Sequence, residues 1–136
     1  MGAPALEPLE AALGHRFRQR RWLELALTHS TGRREAEQDA DNERLEFLGD
    51  AVVSLVVSEH LAEAFPGWTA GQLSQARAQI VSADSLCRAA RALDLGAYLR
   101  LGRGEEKTGG RNKPTLLADA YEALVAALYY DARSEE

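Results

Sequence analysis

Glu43, Glu46 and Asp50 stand three and four residues apart in Asn42-Glu43-Arg44-Leu45-Glu46-Phe47-Leu48-Gly49-Asp50. A helix turns about 100° per residue, so side chains three, four and seven apart share a face, and these three acids form one stripe. Exposed like charges at such spacing repel by roughly a few tenths of a kcal/mol per pair, so a solvated helix face is one reading of the stretch. A second pair alters the balance. Asp119 and Glu122 lie three apart on a segment whose neighbours are Leu116, Leu117, Leu124, Val125 and Leu128. Carboxylates in so apolar a helix carry a substantial desolvation cost unless something neutralises them, and a cation is the simplest answer. If the two helices pack side by side, Glu46, Asp50, Asp119 and Glu122 converge on one site. With no His or Cys adjoining either pair, the ligands are all oxygen, which suits Mg²⁺, or Mn²⁺ in its place, rather than Zn²⁺. Such an ion can acidify a water, orient a scissile phosphate and stabilise the leaving oxygen, which is the chemistry of phosphodiester hydrolysis.

The elements that must position these acids read as helices throughout, with no convincing strand alternation. A short helix runs from about Pro8 to Leu13, stopped by Gly14, and the basic cluster Arg16, Arg18, Arg20 and Arg21 follows. A second covers Trp22 to about His29. Residues Ser30 to Asp41 read as a polar loop. The longest helix spans about Asn42 to Phe65, ended by Pro66-Gly67. Leu45, Leu48, Val52, Leu55 and Val56 are its expected core-facing stripe. Gly49 inside that helix marks either close packing of another helix or close approach of a substrate. Thr69 caps a fourth helix through about Ile80, and Ser82 or Asp84 a fifth through about Leu93. After a turn at Tyr98 to Leu101, Gly102 to Lys113 reads as a charged loop, and Pro114 opens a final helix through Tyr130. The expected fold is an all-α bundle of one domain, residues 1–136, with no internal repeat.

Composition fits that picture. The chain has 136 residues, 46% hydrophobic and 27% charged, enough for one core. No signal segment or bilayer-spanning run stands out, so no membrane is expected. The single cysteine, Cys87, excludes an internal disulfide and reads as a small buried hydrophobe in a reducing, cytoplasmic setting. A net charge of −5 argues against a plain nucleic-acid binder, since phosphate contacts need a basic surface. It leaves room for a nuclease whose clustered carboxylates take up cations before RNA approaches. No small-molecule cofactor is implied.

At these residues the sequence resembles the ribonuclease III family. Asn42 to Asp50, NERLEFLGD, looks like that family's signature helix letter for letter. The likeness continues in Ala26-Leu27-Thr28-His29, Gly71 to Arg77, Leu101 to Lys107, Gly109-Gly110 and Leu117-Ala118-Asp119 with Glu122, from about Trp22 to Asp131. The resemblance implies the helical fold of that family's endonuclease domain, and Mg²⁺-dependent cleavage of double-stranded RNA to 5′-phosphate and 3′-hydroxyl ends. It casts Glu46, Asp50, Asp119 and Glu122 as metal-binding catalytic carboxylates, Glu122 as the most direct ligand, and Glu43 as a supporting acid. It implies a homodimer in which each subunit cuts one strand, with Phe47 inserted into a pocket of the partner subunit; packing within the monomer is the alternative for that ring. Ribosomal RNA precursors and structured mRNA are the substrates it suggests.

Arg103, Lys107, Arg111 and Lys113, with Gly109 and Gly110 for mobility, could contact A-form RNA, or form a solvated loop balanced by Glu105 and Glu106. His29 reads as a packing residue at a helix end rather than a catalytic base. The sequence departs from the family's pattern in three respects. Ala70 stands where many relatives carry an acid, a further C-terminal helix is expected to be truncated, and no double-stranded RNA-binding domain is found. An RNA-binding module without cleavage, or another all-α metal-dependent phosphohydrolase, are the alternatives. The first is expected to lack one or more of the four acids, and the second leaves the full signature unexplained.

Overall fold

The computed structural model describes residues 4–32 and 41–133. Within them lie α1 (Glu7–Leu13), α2 (Arg20–Ala26), α3 (Glu43–Ala64), α4 (Ala70–Ile80), α5 (Ala83–Ala92), α6 (Arg103–Lys107) and α7 (Pro114–Arg133). Short 3₁₀ turns occupy Ser30–Gly32, Leu95–Tyr98 and Gly110–Asn112. The fold is all-α, as expected, with one isolated bridge between Thr28 and Arg100. Most of the expected loop from Ser30 to Asp41 lies outside the described residues.

The local signals in the sequence act where they stand. Gly14 closes α1 in the left-handed conformation (φ 67°). Thr69 and Gln72 form a reciprocal capping box on α4, the Thr69 hydroxyl accepting from the Gln72 N–H at 3.2 Å and the Gln72 side chain from the Thr69 N–H at 2.9 Å. Of the two candidate caps for α5, Ser82 is the one used. Pro114 opens α7.

α7 is the centre of the molecule, packed by α3, α5 and α2. Its buried residues, Leu117, Ala118, Ala120, Ala123, Leu124, Ala126 and Ala127, are mostly alanine, so three helices approach its axis closely. Asp131, at its C-terminal end, is buried too. Its carboxylate accepts from the backbone N–H groups of Arg18 (3.0 Å) and Gln19 (2.9 Å) and lies 2.7 Å from His15 Nε2, fastening the α1–α2 linker to α7. Burial works against that charge, but the Gln19 and Arg18 amides and His15 hold its pKa below the ordinary value.

Three expectations are corrected. α2 ends at Ala26 rather than His29, because the backbone beyond it turns to pair with the segment at Arg100. The Arg100 N–H donates to Leu27 (2.8 Å), and the His29 N–H donates to Arg100 (3.1 Å). The 102–113 segment is not a loop but α6 followed by a 3₁₀ turn. On α3 the buried positions are Leu45, Gly49, Val53 and Leu61, whereas Leu55 and Val56 are 67% and 58% exposed. The expected core-facing stripe of Leu45, Leu48, Val52, Leu55 and Val56 keeps only Leu45 fully buried; the buried positions instead follow a row of every fourth residue, which slants around a long helix. The apolar residues left over, Phe47 above all, form an outward face.

Candidate active site

The close approach of α3 and α7 begins at Gly49. A Cβ there would lie 1.8 Å from the carbonyl oxygen of Glu122, so no side chain fits between the two backbones. Of the two roles open to this glycine, the structure assigns helix packing. The turns on either side then carry the acids toward each other. Glu46 and Asp50 sit beside the buried Gly49–Val53 ridge, and Asp119 and Glu122 border the buried Ala120–Ala123 surface.

The four carboxyls meet as two pairs. Glu46 lies within hydrogen-bonding reach of Asp119, and Glu122 within reach of Asp50. Glu46 and Glu122 are half-buried; Asp50, Asp119 and Glu43 are exposed. Desolvation, then the charge of Asp119 and its hydrogen bond, raise the Glu46 pKa to about 8, with Glu122 and Glu43 adding repulsion. Desolvation, then the hydrogen bond and charge of Asp50, raise Glu122 to about 7. Two carboxyls share a hydrogen bond only when one keeps its proton, so the pairs are short of positive charge at neutral pH. Glu43 and Glu46, in the first turn of α3, also face the favourable positive end of the helix dipole.

Beside Glu43, Glu46 and Asp119 opens a cavity of about 440 Å³, lined also by His29, Ser30 and Asn42. Asn42 is buried and structural, its amide donating to the Ala26 carbonyl at 3.1 Å. Asp50 and Glu122 do not line the cavity. The donor set suits a hard divalent cation. Among the described residues, however, no group of three or more His, Cys, Asp or Glu side chains stands in position to hold a metal ion by itself. The fit is therefore one of chemistry rather than of a finished cage. Mg²⁺ keeps several of its waters and is commonly held by one or two carboxylates together with substrate phosphates.

The chain has relatives among known proteins. A model of the Ribonuclease-III-like family matches residues 19–136. The chain belongs to the ribonuclease III-like family. Its sequence is 53% identical over 111 residues to ribonuclease 3 of Borreliella afzelii, covering 81% of this chain and 45% of that protein. It is 50% identical over 130 residues to ribonuclease 3 of Pseudomonas entomophila, covering 94% and 54%. The chain thus spans about half the length of the curated relatives it matches. Among solved structures it is similar to the nuclease domain of ribonuclease III from Campylobacter jejuni, described for flexibility in a region involved in dimer formation. That match has a TM-score of 0.89 and 40% identity, covering 96% of this chain and 89% of that one. The family's nuclease-domain fold is therefore this chain's fold.

The remaining site residues divide. Phe47 is 84% exposed. Arg111 is spent within the molecule: its guanidinium holds Glu106 (2.8 Å) and the carbonyls of Gly96 (3.0 Å) and Leu99 (2.6 Å). Lys113 is likewise bound to Glu105 (2.5 Å), whose pKa it lowers, and to Thr108 (3.2 Å). Arg103 and Lys107 are exposed and have no partner among the described residues. His29 and Ser30 are cavity residues that sequence reasoning missed, because the Thr28–Arg100 bridge that places them joins segments far apart in the chain.

Proposed function

We propose that this chain is the nuclease domain of an endoribonuclease that hydrolyses double-stranded RNA at the Glu46, Asp50, Asp119 and Glu122 site, leaving 5′-phosphate and 3′-hydroxyl ends. The observation that carries the reading is the meeting of two acid pairs from α3 and α7, in a chain of the ribonuclease III-like family. Mg²⁺, or Mn²⁺ in its place, would be held by these four acids, with Glu43 in support. When bound, the ion supplies positive charge for the phosphate and acidity for the attacking water. The chain's own acids position that ion, and the half-buried pair Glu46 and Glu122 keeps its field concentrated on the substrate. Arg103 and Lys107 are the cations of the 102–113 segment free to meet phosphates.

The working unit is a homodimer. An exposed phenylalanine in line with exposed Ala51 and Leu55 on α3, every fourth residue, makes a ridge that a second copy would cover, Phe47 entering its pocket. Precursors of ribosomal RNA and structured mRNA are the proposed substrates, and the cytoplasm the proposed setting, consistent with one buried, unpaired cysteine. No helix among the described residues is long and apolar enough to cross a membrane. The test is incubation with long duplex RNA, with and without Mg²⁺, beside a single-stranded control. Metal-dependent cutting of the duplex alone is expected; an intact duplex in Mg²⁺ overturns the reading.

A further inference from the structure

We propose that His29 is a substrate-contacting residue, its Nε2–H donating to a phosphate oxygen of the RNA strand lying in the cavity beside Glu46 and Asp119. The inference rests on the ribonuclease reading above. Its first support is the tautomer. The Thr31 backbone N–H, which can only donate, points at His29 Nδ1 (3.2 Å), and the Thr31 hydroxyl lies 2.7 Å from the same nitrogen. That hydroxyl accepts from the Gly102 N–H (3.1 Å), leaving its own proton for Nδ1. Nδ1 is thus an acceptor and the ring proton sits on Nε2. Among the described residues no protein group takes up that donor.

The second support is the rigidity of the mount. The His29 N–H is bonded to Arg100 and the His29 carbonyl accepts from Gly32 (2.8 Å). A Cβ on Gly32 would lie 2.2 Å from the Arg100 carbonyl, and one on Gly102 2.4 Å from that of Thr31, so the two segments are in backbone contact just beyond His29. A packing residue at the end of a helix needs none of this. The third support is position. His29 lines the same cavity as Glu43, Glu46 and Asp119, and also lies near Glu105 of α6. It stands between the acids and the helix that carries the unpaired Arg103 and Lys107. The cavity walls are otherwise rich in carboxylates, which repel phosphate; a neutral N–H donor offsets that without competing for the cation.

Two substitutions separate this role from a structural one. His29→Asn keeps an acceptor near the Nδ1 position for Thr31 but has nothing at Nε2. His29→Gln places an amide N–H within reach of the Nε2 position and loses the acceptor. Cleavage of duplex RNA in Mg²⁺ and the unfolding midpoint are measured for both. His29→Asn is expected to keep the midpoint and lose about ten- to a hundredfold in kcat/KM, the worth of one hydrogen bond to a charged group, and His29→Gln to recover most of it. Wild-type kcat/KM in a folded His29→Asn overturns the proposal, as does a loss in both variants that follows a falling midpoint. If His29→Asn does not fold, full activity in His29→Gln supports the contact and loss of activity overturns it. Unsubstituted protein that leaves duplex RNA intact removes the ribonuclease reading and this contact together; active protein with indifferent variants removes the contact alone.

Discussion

At the scale of single residues, the site is defined by a shortage of positive charge. Glu46 and Glu122 are raised to about 8 and about 7 from an ordinary value of 4.5. Between those limits the folded chain holds protons that the unfolded chain has released, so folding stability falls as pH rises through that window. A divalent cation that binds the ionised acids reverses the penalty. The metal-free protein should therefore melt at a lower temperature near pH 8 than near pH 5, with Mg²⁺ raising Tm more at the higher pH. A Mg²⁺ increment in Tm that is the same at both pH values would show that the ion binds elsewhere. The acids' spacing was legible in the sequence because helical periodicity places three- and four-apart residues on one face. Their pairing across two helices was not, since it depends on how α3 and α7 pack.

At the scale of elements, the contact at Gly49 decides whether the pairs meet. Replacing a helical glycine by alanine ordinarily gains about 1 kcal/mol of helix propensity. Here the new methyl would sit 1.8 Å from the Glu122 carbonyl oxygen, and overpacking of this kind costs about 1–3 kcal/mol. Gly49→Ala should lower Tm and cleavage together, because the backbone that must move is the one carrying Glu122. A raised Tm would mean that the two helices are not in contact there. Helix identities were readable, as were the stop at Gly14 and the starts at Thr69, Ser82 and Pro114, whose signals are local. The end of α2, the helical character of 103–107 and the slant of the buried ridge on α3 were not, because each is imposed by a neighbour distant in sequence. Arg111 and Lys113 teach the same point. In sequence they are four loop cations with Arg103 and Lys107; in the fold two of the four are locked into ion pairs.

At the scale of the whole molecule, the chain buries its core around α7 while leaving Phe47, Leu55 and Val56 of α3 outside. The family resemblance assigned Phe47 to a partner's pocket, but the periodicity read Leu55 and Val56 as buried, and so underestimated how apolar the outer face is. If that face joins two copies, Phe47→Ala should raise the dimer dissociation constant at least about tenfold, as loss of a central aromatic anchor does. Sedimentation at low concentration reads this directly, and an unchanged dimer would assign the ring to another role.

The decisive measurement is on Glu122→Gln, which removes one ionisable oxygen from the site and little else. Cleavage of duplex RNA in saturating Mg²⁺ should be abolished while Tm and the dimer are retained. Cleavage at the unsubstituted rate would contradict the assignment of catalysis to the paired acids of α3 and α7.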